Sequence, residues 1–202
     1  MLKVYGDHNS GNCYKLKLLL TQLDLPFEWV DIDILKKESR TREFLAKNPN
    51  GKIPLLELGS GVYLAESNAI LHYLAEGSAF LPSDRLQHAQ VLQWLFFEQY
   101  SHEPYIATSR YIVRYLGTPP EYQKVLAEKR TPGYAALNVM QQHLATHRFF
   151  VAECYTIADI ALYAYTHVAN EGGFDLARYP AVTQWLEQVR GEPGHVGMGP
   201  AS

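Results

Sequence analysis

Asn48-Pro49-Asn50-Gly51-Lys52-Ile53-Pro54-Leu55-Leu56 sets a turn directly before an apolar strand pattern, with a proline where the strand begins. Proline cannot donate a ladder hydrogen bond, so it must sit where a missing donor is tolerated or follow a cis bond at a special site. A cis Ile53–Pro54 bond would turn the Ile53 backbone outward, its N–H and C=O open to pair with an extended peptide as an added strand. A trans proline on an edge strand is the alternative. Upstream, Leu2 to Tyr5 reads as a short strand, and Leu16, Leu19, Leu20 and Leu23 form one apolar helical stripe whose helix starts between Ser10 and Cys13. Pro26 to Asp33 is β-rich and Arg42 to Lys47 reads as a short helix. Downstream, Ile53 to Leu58 and Val62 to Leu64 flank the Gly59-Ser60-Gly61 turn as a hairpin, and a helix runs from about Ser67 to Ala75. Strands and helices alternating in this way predict a small α/β domain with at least one parallel crossover.

The rest of the chain reads differently. Gly77-Ser78 and Pro82-Ser83-Asp84 punctuate residues 77 to 84 as a linker, and the chain beyond it is helix-periodic: about 85 to 116, 120 to 147, from Thr156, and 181 to 190. Thr156 with Asp159 resembles a capping box with Asp in place of Glu. The Gly/Pro-rich tail after Gly191 reads as mobile. The expected domains are therefore residues 1–76, α/β, and 85–202, all-helical.

With 202 residues, 47% of them hydrophobic, the chain can bury two modest cores. Its 18 basic against 21 acidic residues give a net charge of −3 with no basic run, no footprint for nucleic acid or an anionic membrane surface. Small-molecule or protein partners are the default. No apolar stretch approaches a membrane span and no signal-peptide pattern precedes the first strand, so the expected location is the cytoplasm. Cys13 and Cys154 are too few and too far apart for a disulfide framework, and zinc-type spacings are absent, so no metal is expected.

Two segments can carry chemistry besides the proline turn. Glu66-Ser67 lies where a strand runs into a helix N-terminus, whose backbone N–H groups can hold a carboxylate while Glu66 pairs with an ammonium; a plain N-cap is the bland alternative. Ser10-Gly11-Asn12-Cys13 puts a hydroxyl and an amide at another helix start, suited to stabilising a thiolate. Cys13 could itself be a low-pKa nucleophile, although an inert packed thiol is the preferred reading; Cys154, inside an apolar run, reads as core.

Ser10-Gly11-Asn12-Cys13-Tyr14-Lys15-Leu16, Asn48 to Pro54, Glu66-Ser67-Asn68-Ala69-Ile70-Leu71-His72-Tyr73-Leu74 and Thr156-Ile157-Ala158-Asp159-Ile160 together resemble the glutathione transferase family, across nearly the whole chain and in the family's order. The resemblance implies a thioredoxin-like domain followed by a helical bundle, and a homodimer. It implies a cis Pro54 with Ile53 pairing to the cysteinyl backbone of glutathione, Glu66 and Ser67 on its γ-glutamyl group, and Lys52, with Arg40, near the glycyl carboxylate. Ser10 matches the catalytic serine of delta- and theta-like members, whereas Asn12 matches the asparagine of a bacterial Thr-Pro-Asn type; combining them departs from both templates and suggests a serine/asparagine, theta- or nu-like member. Tyr5 reads as structural.

What the resemblance implies chemically is activation of the thiol of glutathione, the co-substrate, by Ser10 or Asn12, for attack on a hydrophobic electrophile, a peroxide or a disulfide. Tyr105, Arg110 and Tyr111, on the helix that in this family contributes to the electrophile site, complete the candidate set. Conjugation with a detoxifying role, glutathione-dependent reduction, and a non-catalytic binding module stay open. Thr156 and Asp159 are assigned to stability.

Overall fold

The structure, a computed structural model, describes residues 1–59 and 61–200. It divides into two compact units, Met1–Glu76 with the residues from Pro193 on, and Gly77–Glu192. In the first, β1 (Leu2–Gly6), α1 (Gly11–Gln22), β2 (Phe27–Asp31), α2 (Arg42–Lys47), β3 (Leu55–Gly59), β4 (Val62–Ala65) and α3 (Ser67–Ala75) follow in chain order. Among the described residues the strands form one sheet in the order β2-β1-β3-β4. β1 runs parallel to β2, which needs the α1 crossover, and antiparallel to β3, which pairs antiparallel with β4. Ser60, in the turn between β3 and β4, lies outside the described residues.

Strand alternation sorts the side chains to two faces. Val4 pairs with Leu56 and Tyr5 with Leu55. Val4 and Leu56 pack with Leu16, Leu20 and Ile70 from α1 and α3, whereas Tyr5 and Leu55 pack with Phe44 of α2 on the other side. This helix-covered sheet is the thioredoxin-like arrangement that the resemblance implies.

The tail read as mobile is tied to α1. Tyr14 Oη donates to Val196 O at 2.7 Å, Lys17 Nζ to Gly197 O and Gly199 O, and Gln22 Nε2 to Pro193 O. Gly199 N donates to His8 O at 3.1 Å, just before α1 begins. Composition alone could not show this, because the acceptors are backbone carbonyls, which every residue of the tail supplies.

The second unit is helical. α4 (Arg85–Phe97) is capped by Asp84, whose carboxylate accepts from Leu86 N and Gln87 N. A π-turn at Glu98–His102 leads into α5 (Glu103–Arg110), and a second one at Tyr111–Tyr115 ends it. Pro104 explains the first widening: it lacks an N–H and its ring would strike the carbonyl four residues earlier in a regular α-turn. α6 (Gln123–Leu144), α7 (Ile157–Thr166) and α8 (Pro180–Arg190) complete the unit, every residue of α7 being buried. Ile157 N donates to Phe80 O, so the 77–84 stretch is bonded to the start of α7. Thr156 and Asp159 form the capping box. Cys154, read as core, is exposed instead, because the chain turns back at Ala152 and Glu153, both at positive φ, and bridges Cys154 to Val151.

Candidate functional site

α1 begins where β1 ends, and the approach is close. A Cβ on Gly6 would lie 2.9 Å from Cys13 Sγ, so glycine is what lets the first helical turn settle beside the strand. Ser10 is the N-cap, with φ −79° and ψ 124°, its Oγ accepting from Cys13 N at 3.4 Å. Cys13 is wholly buried, and burial pushes its thiol up to about 12, against smaller opposing pulls from the Ser10 hydroxyl and the Asp7 backbone. It is therefore a protonated packing group at neutral pH, the inert thiol of the preferred reading. Tyr5, read as structural, donates to Glu57 Oε2 at 2.6 Å within the sheet.

One turn into α1 the polar groups meet those of α3. Ser67 Oγ donates to Asn12 Oδ1 at 3.2 Å and accepts from Lys15 Nζ at 3.3 Å, and Lys15 Nζ also donates to Asn68 Oδ1 at 3.1 Å. Lys15 is fully buried. Ser67 is the first residue of α3 and Glu66 its N-cap, with no side-chain cap, in contrast to Ser10 on α1 and Thr41 on α2. The first-turn N–H groups of α3 are thus left without the local side-chain acceptor that the other two helices have. Glu66 adopts φ 67° and ψ 110°, a conformation that costs a non-glycine residue of order 1–3 kcal/mol and that concentrates at functional sites. Its carboxylate is exposed and accepts from Asn50 Nδ2 at 3.4 Å.

The Asn48–Lys52 turn is built to be rigid. Buried Asn48 accepts from Asn50 N and donates to Lys52 O, and Arg40 Nη1 donates to Asn50 O at 3.0 Å. Gly51 has φ +61°, and a Cβ there would come within 2.7 Å of Arg40 Nη1. Lys52 is exposed, the Ile53–Pro54 bond is cis, and the β3 ladder starts only at Leu55, which leaves the Ile53 backbone outside it. The structure thus links Asn12 to Ser67 and Arg40 to Glu66 through Asn50, with Ser10, Lys52, Ile53 and Pro54 adjoining in the chain.

Residues 1–76 match the family model described as glutathione S-transferase, N-terminal domain, and residues 88–193 match its C-terminal domain. The chain belongs to the glutathione S-transferase family. Among its relatives, the disulfide-bond oxidoreductase YfcG of Escherichia coli K12 is 30% identical over 191 residues, covering 91% of this chain and 88% of that one. The crystal structure of a glutathione S-transferase from Pseudomonas fluorescens Pf-5 superimposes with a TM-score of 0.96 at 58% identity, covering 98% of each chain. A glutathione transferase from Pseudomonas putida, solved with one glutathione disulfide bound per subunit, has a TM-score of 0.84 at 26% identity over 96% of this chain and 88% of that one.

Within this glutathione S-transferase fold, sequence reasoning missed Lys15, Asn50 and Asn68. Lys15 carried a usable signal: it falls among Cys13, Tyr14 and Leu16, all buried, where a lysine must find polar partners. In the second unit, Tyr105 is half-buried with Lys129 Nζ 5.6 Å from its ring centroid, and Tyr111 is exposed and stacked on Tyr115. Arg110 is buried, its Nε donating to Glu171 Oε2 at 2.8 Å. Among the described residues no group of three or more His, Cys, Asp or Glu is placed to hold a metal, and no helix is long and apolar enough to cross a membrane.

Proposed function

We propose that this chain is a glutathione transferase that binds glutathione on its first unit and activates the bound thiol for attack on an electrophilic small molecule. The observation that carries the reading is the Asn12–Ser67–Lys15 network beside the uncapped start of α3, with the strained Glu66 at its edge. In this reading the α3 N–H groups hold the γ-glutamyl carboxylate and Glu66 its ammonium, the two charges of one amino-acid head group. The Ile53 backbone, set beside cis Pro54 and outside the ladder, takes the cysteinyl backbone, and Lys52 takes the glycyl carboxylate. Arg40 shapes the turn through Asn50.

Ser10 and Asn12 then lie at the helix end nearest the sulfur as donors to a thiolate, with Asn12 the better fixed because Ser67 holds its oxygen. Lowering a thiol pKa from about 8.5 by about two units needs roughly 2.7 kcal/mol, within reach of one or two charge-assisted hydrogen bonds and a helix terminus. Cys13 is excluded as nucleophile by burial. The thiolate forms the new carbon–sulfur bond as the leaving group departs with its electron pair, or adds to an activated double bond. Tyr105 and Tyr111 serve the electrophile, while Arg110 is assigned to holding Glu171.

The homodimer is assigned on family resemblance. We assign the serine/asparagine subtype on the pairing of Ser10 with Asn12, and a cytoplasmic location and detoxifying role on the same family grounds. A second reading, disulfide reduction, is favoured by the relative named a disulfide-bond oxidoreductase and by the neighbour solved with glutathione disulfide. There the glutathione thiolate attacks one sulfur of a disulfide, forming a mixed disulfide and releasing the other sulfur as thiolate.

Calorimetric titration with reduced and oxidised glutathione separates these readings. Saturable binding of the reduced form, weakened by Glu66→Ala or Ser67→Ala, supports the transferase. Tighter binding of the oxidised form moves the assignment to reduction, and no binding of either refutes both.

A further inference from the structure

Asn50 takes no part in holding glutathione in the reading above, yet its backbone is held on both sides. Its N–H donates to Asn48 Oδ1 at 3.1 Å and its C=O accepts from Arg40 Nη1 at 3.0 Å, while Gly51 N donates to Asn48 O at 2.9 Å. The exposed side chain crosses to the turn before α3, where Nδ2 donates to Glu66 Oε1 at 3.4 Å. The chemistry of the partner fixes which end of the amide meets it: a carboxylate has no proton to give, so the nitrogen faces Glu66.

Two properties make this bond matter. The Glu66 backbone is fixed in a strained conformation, φ 67°, but its exposed side chain is long and flexible, and a carboxylate that is to meet one ligand group in one geometry needs restraint. Asn50, moreover, is neutral. A lysine or arginine in its place would orient Glu66 and cancel its charge at once, whereas an amide donor occupies one oxygen and leaves the negative charge for an incoming cation.

We propose that Asn50 is a positioning residue: held by Arg40 and Asn48, it restrains the Glu66 carboxylate for the α-ammonium of glutathione without neutralising it. The turn that presents Lys52 thereby also orders the acid at the γ-glutamyl end, and Asn50 contributes to selecting ligands that carry a free α-amino group. The proposal rests on the glutathione reading above.

The test uses the full-length chain and two ligands read by calorimetry: reduced glutathione, and glutaryl-cysteinylglycine, which is glutathione without its α-amino group. Asn50→Ala removes the amide and keeps both backbone bonds, at a residue whose φ is not positive. Circular dichroism checks the fold. The Asn50 bond is long and exposed, so the expected loss is modest: glutathione affinity should fall about three- to tenfold, and affinity for the glutaryl ligand should stay within about twofold. In Glu66→Gln, which has no charge to aim, adding Asn50→Ala should cost no further glutathione affinity. Asn50→Lys, which donates to Glu66 but cancels its charge, should bind glutathione no better than Asn50→Ala.

Equal losses for both ligands in Asn50→Ala mean that Asn50 only braces the turn, and unchanged glutathione affinity means that the bond has no effect; either overturns the proposal and leaves the glutathione reading standing. Glutathione affinity in Asn50→Lys above that of Asn50→Ala overturns it as well. Should Asn50→Ala fail to fold, Asn50→Leu, close in size and without a donor, is read in the same way. A wild-type chain that binds no glutathione, or that binds the glutaryl ligand equally well, overturns the reading of Glu66 and the proposal together.

Discussion

Asp159→Ala should destabilise the second unit by roughly 2–5 kcal/mol at neutral pH, and by more in mild acid. The carboxylate is wholly buried and accepts from Phe150 N at 3.2 Å and Trp185 Nε1 at 2.9 Å on one oxygen, and from Thr156 N at 2.9 Å on the other. Alanine orphans all three N–H groups, each worth about 1–3 kcal/mol when left buried without a partner. Burial acts the other way: it raises the Asp159 pKa from 3.8 to about 6, despite those donors, so the ionised acid at neutral pH carries a penalty of about 3 kcal/mol that alanine relieves. Because the folded value lies above the unfolded one, this group's stabilising contribution is fully present below about pH 4. It is lost as pH rises through about 6. At pH 4.5 the wild type should therefore regain about 2 kcal/mol relative to the variant. Guanidinium unfolding followed by tryptophan fluorescence at pH 4.5 and 7.5 measures both numbers. A neutral-pH difference under about 1 kcal/mol, or one that shrinks on acidification, would refute the assignment of the carboxylate as the acceptor of these donors.

Native thiol labelling at neutral pH should modify Cys154 and spare Cys13, with both reacting after denaturation; rapid native labelling of both would contradict the burial that pushes the Cys13 thiol up to about 12. Ser10→Ala removes the cap on Cys13 N and should lower stability by about 1 kcal/mol while raising the thiol pKa of bound glutathione. If that thiol pKa does not move, Ser10 is a cap and nothing more. Tyr14→Phe deletes the bond to Val196 O, a loss of about 0.5–1.5 kcal/mol, and should speed hydrogen exchange at the Gly199 amide; an unaltered rate there would mean that the tail is held without Tyr14.

Much of this architecture was legible because it is written in local patterns. The stripe of Leu16, Leu19 and Leu20, the short helix Arg42–Lys47, the helix Ser67–Ala75 and the Thr156–Asp159 box each rest on residues within a turn or two of one another, where side-chain spacing and backbone geometry are directly coupled. The proline turn was legible for the same reason, and its cis bond is present. Boundaries slipped where backbone hydrogen bonding decides them: β3 begins at Leu55 rather than Ile53, since pairing with Tyr5 and Ala65 starts there. The helix expected over 85 to 116 is divided by π-turns at Glu98–His102 and Tyr111–Tyr115.

Local sequence, then, determined the elements, their order and the candidate groups at the starts of α1 and α3. The relation among those groups was not local. Lys15 and Ser67 are 52 positions apart, and no spacing rule connects them. Only the packing of α1 beside α3 let a buried ammonium meet the Ser67 hydroxyl, which itself donates to Asn12. Glu66 was visible as an acid before a helix, but its positive φ was set by the strand-to-helix turn it must make. Arg110 was a candidate for the electrophile site, but its buried guanidinium pairs with Glu171, 61 residues on. Charge and polarity can be read from a chain in one dimension; which donor meets which acceptor is a property of three, because burial leaves each polar group only the partners that the fold brings within reach.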